Sequence, residues 1–204
     1  MKSVEQVLRL DQAYSRYARL YDLAVKYLPL WRSWISTALD YLIGPKILEI
    51  SFGPGYLLSR YPQHYQVVGL EINRQMIATA RRNLLSADRS ILLLQGDVFR
   101  LPFGDCSFNT LVNTMAFSGY PDGESALVEM TRVLVPGGRL VMIDIGPPVE
   151  GRKPGSWLLA MWQALGDRVY DMPALFASCG LVSTGQRLGG FGTIHQYLAM
   201  KPDW

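Results

Sequence analysis

The sequence predicts an α/β fold, a doubly wound parallel sheet with helices on both faces, and two observations predict it. Short apolar runs bounded by polar residues, glycine or proline recur at 46–50, 66–70, 91–95, 108–113 and 139–145. Between them, 55–60, 73–85 and 123–134 read as helices. Strands and helices alternating in this way pack as parallel strands joined by right-handed crossovers.

Further elements flank this core. Tyr14, Tyr17, Ala18, Tyr21, Val25 and Leu28 recur at three- and four-residue steps, so a first helix is expected to end near Pro29. Trp31, Trp34, Ile35, Ala38, Leu39 and Leu42 repeat the pattern and predict a second helix, stopped by Gly44-Pro45. After Ile145 the rhythm changes: 147–155 reads as a loop, 156–165 and 172–179 as short helices, and 182–188 with 193–200 as a strand pair around Gly189-Gly190-Phe191-Gly192.

A chain of 204 residues suits one domain with a full hydrophobic core. Apolar residues at 49% and charged residues at 18% exclude long disorder. The 20 basic and 17 acidic side chains are interleaved, so the net charge of +3 marks no basic block and no nucleic-acid partner is indicated. Cys106 and Cys179 lie far apart with no CxxC and no nearby histidine, which argues against a zinc site or disulfide framework and for a reducing cytoplasm. The amino terminus has no apolar signal core, and no apolar run approaches the roughly 20 residues that span a bilayer. A protein neither secreted nor membrane-spanning is expected.

The sharpest local feature is Ile47-Leu48-Glu49-Ile50-Ser51-Phe52-Gly53-Pro54-Gly55, an apolar strand ending in a small-residue turn that opens a helix. Glycines there let a ligand approach the backbone, and open α/β sheets bind ligands beyond the carboxyl ends of their strands. Glu71 ends the next strand, 18 residues after Gly53, where a carboxylate accepts both hydroxyls of a ribose. The pair points to a nucleoside ligand and leaves the reaction open.

Further along stand Gly96-Asp97-Val98, Leu101-Pro102-Phe103, Asn113 at the end of the fourth strand, and Glu129-Met130-Thr131-Arg132-Val133-Leu134-Val135-Pro136-Gly137-Gly138. With Glu49 and Glu71 they resemble, in order, the motifs of class I S-adenosylmethionine-dependent methyltransferases. The resemblance covers about 46–145. It departs from the family at Ser51, in the place of the usual first glycine, and at Pro54, in the place of a common threonine. Serine is small but disfavours positive φ.

The resemblance implies a Rossmann-like doubly wound sheet of seven strands, mostly parallel with an antiparallel final strand, preceded by two N-terminal helices. It divides one domain into a helical lid (1–44), a cofactor-binding core (45–146) and a substrate-side segment with the final strand pair (147–204). It implies S-adenosylmethionine as cofactor. Glu49, Ser51, Phe52, Gly53 and Gly55 would face its methionine moiety with Asn113 beside it. Glu71 would hold the ribose, Ile72 and Met76 the adenine ring, and Asp97 with Val98 the adenine edge. Tyr21 would touch the cofactor from the lid; Met76 is equally suited to core packing.

Methyl transfer from a sulfonium needs alignment more than acid–base help, so no catalytic residue is assigned. Asp144 and His195 are the candidates should a base be needed. No metal-ligand cluster is visible. Tyr14-Ser15-Arg16-Tyr17-Ala18-Arg19-Leu20-Tyr21-Asp22 resembles the entry segment of ubiquinone/menaquinone C-methyltransferases and small bacterial phosphatidylethanolamine N-methyltransferases. A lipid-like acceptor, a phospholipid amine or a quinone precursor, is therefore expected, with a small soluble metabolite as competitor. The aromatic stretches at 28–34 and 157–162 suit either peripheral contact with a membrane surface or core packing. Two other readings stay open: a non-catalytic cofactor-binding partner subunit, and an NAD(P)-dependent oxidoreductase, disfavoured because the turn is not a regular GxGxxG.

Overall fold

The computed structural model describes residues 29–149 and 153–203. Its strands are β1 (Lys46–Ile50), β2 (Gln66–Glu71), β3 (Leu92–Gln95), β4 (Phe108–Thr114), β5 (Leu134–Ile145), β6 (Val182–Gly189) and β7 (Ile194–Met200). They form one 7-stranded sheet in the order β3-β2-β1-β4-β5-β7-β6. The pairings from β3 through β5 are parallel, and β7 runs antiparallel to both β5 and β6. This is the sheet that the sequence leads one to expect. The helix expected over 14–28, with Tyr14, Tyr17 and Tyr21, lies outside the described residues.

Helices α1 (Pro29–Ser36), α2 (Arg74–Ser86), α3 (Gly123–Val133), α4 (Lys153–Ala164) and α5 (Met172–Ser178) cover the two faces. Central strands buried on both faces carry unbroken apolar runs, and in β1 all of Ile47, Leu48, Glu49 and Ile50 are buried. Leu48 and Ile50 pack with Leu127 and Met130 of α3 and Phe176 of α5. Ile47 packs on the other face with Trp31 and Ile35 of α1 and Ile77, Ala80 and Leu84 of α2. Glu49, two residues from Ile47, takes that second face.

The strand order reverses between β1 and β4, so the chain segments leaving their carboxyl ends diverge and open a crevice. The local starts follow capping rules. Asn73 Oδ1 accepts from the backbone N–H groups of Gln75 and Met76 at 2.9 and 3.0 Å and starts α2. Asp122 starts α3 by accepting from Ser125 N–H at 3.0 Å.

Several boundaries differ from expectation. Residues 53–60 form successive turns instead of a helix. Gly53 and Gly55 both have positive φ, 55° and 78°, and the bonds from Gly55 N–H to Phe52 O and from Arg60 N–H to Leu57 O each close a four-residue turn. The second expected helix is α-helical only to Ser36 and tightens into a 3-10 turn over Thr37–Tyr41. The fifth strand begins at Leu134 rather than at 139, because Leu134 already pairs with Phe108 before the ladder shifts register.

Two motifs on which the resemblance rests prove to be one clasp. Arg132 donates to Glu129 through Nε (2.7 Å) and Nη2 (2.8 Å), to Phe103 O (2.9 Å) and to Leu101 O (3.1 Å). Glu129 in turn accepts from Leu101 N–H at 2.8 Å, and Arg132 holds its carboxyl below the usual range. The clasp fixes the segment after β3 to α3.

A phenylalanine stands between Ser51 and Gly53, and a glycine on β2 makes room for it. A Cβ at Gly69 would lie 2.8 Å from Phe52 Cδ1 and 2.9 Å from Leu93 Cδ2. Gly69→Ala is therefore expected to destabilise the fold by about 1–3 kcal/mol, the usual cost of overpacking. Urea denaturation measures it; a wild-type midpoint would mean that the Phe52 ring moves aside freely.

Candidate functional site

The crevice at the strand carboxyl ends is a cavity built from four segments. Ser51 and Gly53 come from the turn after β1, and Leu70, Glu71, Ile72, Asn73 and Met76 from the end of β2 and start of α2. Gly96, Asp97, Val98 and Phe99 follow β3, and Met115, Ala116, Gly119, Tyr120 and Pro121 follow β4.

Glu71 joins two of these segments. It is 6% exposed, and its Oε2 accepts from Gly53 N–H at 3.0 Å while Oε1 accepts from Asn73 N–H at 3.0 Å. The carboxylate thus holds the turn after β1 against the start of α2. Asp97 shapes the next segment by accepting from Phe99 N–H at 3.0 Å.

Ser51 adopts the conformation of the glycine it replaces, with φ at 57°. For a non-glycine residue that costs on the order of 1–2 kcal/mol. Neighbouring contacts compensate. Ser51 N–H donates to Leu70 O at 2.8 Å, and its Oγ lies 2.7 Å from Tyr120 Oη. Tyr120 Oη also accepts from Asn113 Nδ2 at 3.0 Å, and Asn113 Nδ2 donates to Ile50 O at 3.0 Å. Hydrogen bonds at roughly 1 kcal/mol each offset a strain of that size.

Of the residues singled out from sequence, Ser51, Gly53, Glu71, Ile72, Met76, Asp97 and Val98 line the cavity together. Glu49, Phe52, Gly55 and Asn113 do not. Glu49, on the face of Ile47, lines a smaller pocket that shares Ser51 and Gly53 with the cavity. Phe52 is buried against Gly69, Gly55 abuts Ala80, and Asn113 lies fully buried beneath the wall. Tyr21 is outside the described residues. Leu70, Asn73, Gly96, Phe99, Met115, Ala116, Gly119, Tyr120 and Pro121 were missed. Asn73 carried a legible helix-cap signal, whereas the loop after β4 carried none.

Asp144 and His195 both serve the scaffold. Asp144 Oδ2 accepts from Ser118 N–H (3.1 Å) and Oδ1 from Ile145 N–H (2.7 Å), anchoring the loop that carries Tyr120. Burial pushes its pKa up to about 6. His195 Nε2 lies 2.9 Å from Pro147 O and from Gly192 O, so that nitrogen is the donor, and Nδ1 accepts from Tyr197 Oη at 3.1 Å. Burial holds the ring below its usual pKa. Among the described residues, no group of three or more histidine, cysteine or acidic side chains is placed to hold a metal, and no helix is long and apolar enough to cross a membrane.

A family model described as a methyltransferase domain matches residues 48–142, the stretch that builds the cavity. Among curated proteins, the chain is 32% identical to the demethylmenaquinone methyltransferase of Deinococcus radiodurans over 70% of its own length and 62% of the relative's. It is 34% identical to the enzyme of that name from Thermus thermophilus, over 68% of this chain and 66% of the relative. The chain thus spans a little under two thirds of these relatives. The domain match, the relatives and the fold together support a class I S-adenosylmethionine-dependent methyltransferase.

Solved methyltransferases share the fold. A SAM-dependent methyltransferase of Thermotoga maritima superposes with a TM-score of 0.71 at 18% identity, covering 93% of this chain and 99% of that one. Geranyl diphosphate C-methyltransferase of Streptomyces coelicolor gives 0.67 at 18% identity, covering 83% and 77%.

One buried acid of this methyltransferase titrates far from its ordinary range. Burial pushes Glu49 from 4.5 up to about 8, with the Glu71 carboxylate adding to the rise and the neighbouring Tyr61 hydroxyl opposing it. Tyr61 acts at the limit of contact, since Glu49 Oε2 and Tyr61 Oη are both buried without a partner in hydrogen-bonding geometry among the described residues. The unfolded chain releases this proton near 4.5 and the folded chain near 8, so stability falls as pH rises through that window, by up to about 1.4 kcal/mol per unit. Glu49→Gln should accordingly gain on the wild type between about pH 5 and about pH 8 in urea denaturation. A constant difference across that range would show the carboxyl already ionised in the fold.

Proposed function

We propose that this chain transfers the methyl group of S-adenosylmethionine to a ring carbon of a quinone-type acceptor. The donor half rests on one observation above all: the buried Glu71 carboxylate at the end of β2, set between a glycine turn and an apolar wall. A carboxylate there accepts from ribose hydroxyls. Ile72, Met76, Val98 and Phe99 offer the apolar faces that flank an adenine ring, and Asp97 meets its edge. Ser51 reaches Tyr120 in the segment after β4, where the methionine end would belong.

Bound there, S-adenosylmethionine supplies an activated methyl group for in-line displacement. The acceptor's ring carbon would provide the electron pair for the new C–C bond as the S–CH3 bond breaks and leaves S-adenosylhomocysteine, and its proton would pass to solvent, so an electron-rich reduced ring suits the chemistry. The protein's part is to hold the two in line and keep water out. Asp144 and His195 offer no base to the cavity: one is bonded twice to backbone N–H groups, the other bridges two carbonyls.

The curated relatives support the acceptor class. Demethylmenaquinone methyltransferases and, at 28% identity over 85% of this chain, a ubiquinone/menaquinone biosynthesis C-methyltransferase of Idiomarina loihiensis favour a quinone over a phospholipid amine. These matches also disfavour a nicotinamide dehydrogenase and a non-catalytic partner subunit. Trp157, Met161 and Leu165 recur every four residues along α4 and just past its end, and all are exposed, which suits contact with a lipid surface that supplies such an acceptor.

The test is transfer of labelled methyl from S-adenosylmethionine to a reduced 1,4-naphthoquinone with an unmethylated ring carbon, read by mass spectrometry. Wild-type protein should form the ring-methylated product. Glu71→Ala should bind S-adenosylhomocysteine at least about ten-fold more weakly, roughly 1.4 kcal/mol. Cofactor binding without transfer to any quinol, but with transfer to phosphatidylethanolamine, would overturn the acceptor assignment and leave the donor assignment standing.

A further inference from the structure

We infer that the exposed side of α4, together with Phe191 of the neighbouring 3-10 turn, is a docking surface for an anionic lipid bilayer, strapped by hydrogen bonds to the wall of the cavity. The inference deepens the acceptor reading above and rests on it for the purpose of the contact.

The core uses a different side of α4. Leu159 and Trp162 are partly buried against it, with the Trp162 ring 5.9 Å from that of Trp31. Trp157 and Met161 stand one turn apart on another side, and Leu165 continues their row, since its N–H still donates to Met161 O at 3.1 Å. Trp157 and Leu165 are 71% and 67% exposed, and Met161 is exposed as well. An apolar row left in water costs free energy that nothing inside the fold offsets.

Phe191 is a second, independent observation. It lies in the 3-10 turn Gly190–Gly192 between β6 and β7, and this turn packs on the first turn of α4: a Cβ at Gly155 would meet Phe191 O at 2.8 Å. Its φ is 55°, in the left-handed region, and the residue is 62% exposed. Glycine occupies both neighbouring positions, 190 and 192, and at 191 would take this conformation without strain. A bulky ring kept at a strained position and turned out to water is held for a contact outside the fold.

The charges around this surface select the partner. Lys153 opens α4, Arg168 follows it, and Arg187 lies beside the 3-10 turn, where a Cβ at Gly192 would come 3.6 Å from Arg187 Cδ; all three are exposed. No acidic residue occurs in 153–165 or in 187–194. Asp167 and Asp171, next along the chain, are engaged elsewhere. Asp167 accepts from Ser118 Oγ at 2.9 Å, and Asp171 caps α5 by accepting from Ala174 N–H at 3.1 Å. A tryptophan and aliphatic row rimmed by cations fits a layer of acyl chains and anionic headgroups. A second copy of this chain would bring the same cations against one another.

The end of α4 also leads directly to the cavity. Arg168 donates through its backbone N–H to Ser118 O and through Nη1 to Pro121 O, both at 2.8 Å, and Tyr170 Oη donates to Tyr120 O at 2.8 Å. With the Asp167 bond, these fasten the segment after the docking helix to 118–121, of which Gly119, Tyr120 and Pro121 line the cavity. A helix lying at a lipid surface thereby holds the cavity within reach of a membrane-borne acceptor.

The experiment is flotation of the full chain with vesicles of phosphatidylcholine and with vesicles of equal parts phosphatidylcholine and phosphatidylglycerol, without cofactor or acceptor. Wild type should float with the mixed vesicles, less with phosphatidylcholine alone, and less as salt is raised. Trp157→Glu should partition at least about ten-fold more weakly. Phe191→Gly should also partition more weakly while its urea midpoint stays at or above that of the wild type, which separates docking from a structural role. Val182→Glu, at a similarly exposed apolar position on the edge strand β6, should bind like the wild type. Absence of flotation, equal loss in Val182→Glu, a lowered midpoint in Phe191→Gly, or dimers that Trp157→Glu abolishes in place of vesicle binding would each overturn the inference. Transfer to a water-soluble naphthoquinol without flotation overturns the docking surface and leaves the acceptor reading standing; flotation without transfer to any quinol does the reverse.

Discussion

A single buried carboxylate organises the end of the sheet where the ligand belongs. Glu71 spends one oxygen on Gly53 N–H and the other on Asn73 N–H. Those donors belong to the turn leaving β1 and the segment entering α2, which Asn83 Nδ2 also ties together by donating to Pro54 O at 2.9 Å. With Asn73 capping α2 in turn, the cavity floor and the helix that bears Met76 depend on one side chain.

Around that fixed point the chain sets larger residues, Ser51 and Phe52, into a glycine turn and accommodates each nearby. Phe52 is admitted because position 69, across on β2, has no side chain. Ser51 is admitted because the backbone of β2 and the hydroxyl of Tyr120 hold it in the left-handed conformation. The loop that supplies Tyr120 is itself anchored by Asp144, which accepts from Ser118 N–H. Substitutions that weaken a motif on paper are thus supported by residues remote in sequence. The geometry of the turn, rather than its spelling, is what the fold preserves.

Much of this was legible in the chain. Strands buried on both faces are unbroken apolar runs, helices that cover a face show their period, and the acid closing β2 stands where a ribose carboxylate belongs. The helix expected over 55–60 was misread because consecutive apolar residues there also suit a packed series of turns, and periodicity over so few residues does not separate the two. Glu49 was expected at the ligand. Alternation along the strand puts it on the face of Ile47, in a smaller pocket beside the same turn, a placement that becomes visible only when the faces are assigned.

The sequence by itself determined the sheet, its crossovers, the family resemblance and the β2–β3 half of the cavity, because those depend on local periodicity and on residues at strand ends. Tertiary structure decided the other half. Tyr120 meets Ser51 across 69 residues and Asn113 meets Ile50 across 63, through β1 and β4 lying side by side. It also decided that Asp144 and His195 are fastenings, since a carboxylate or imidazole declares its role only through the backbone groups that reach it. Contacts between segments distant in the chain leave no period and no spacing to read; they exist only once the strands are paired.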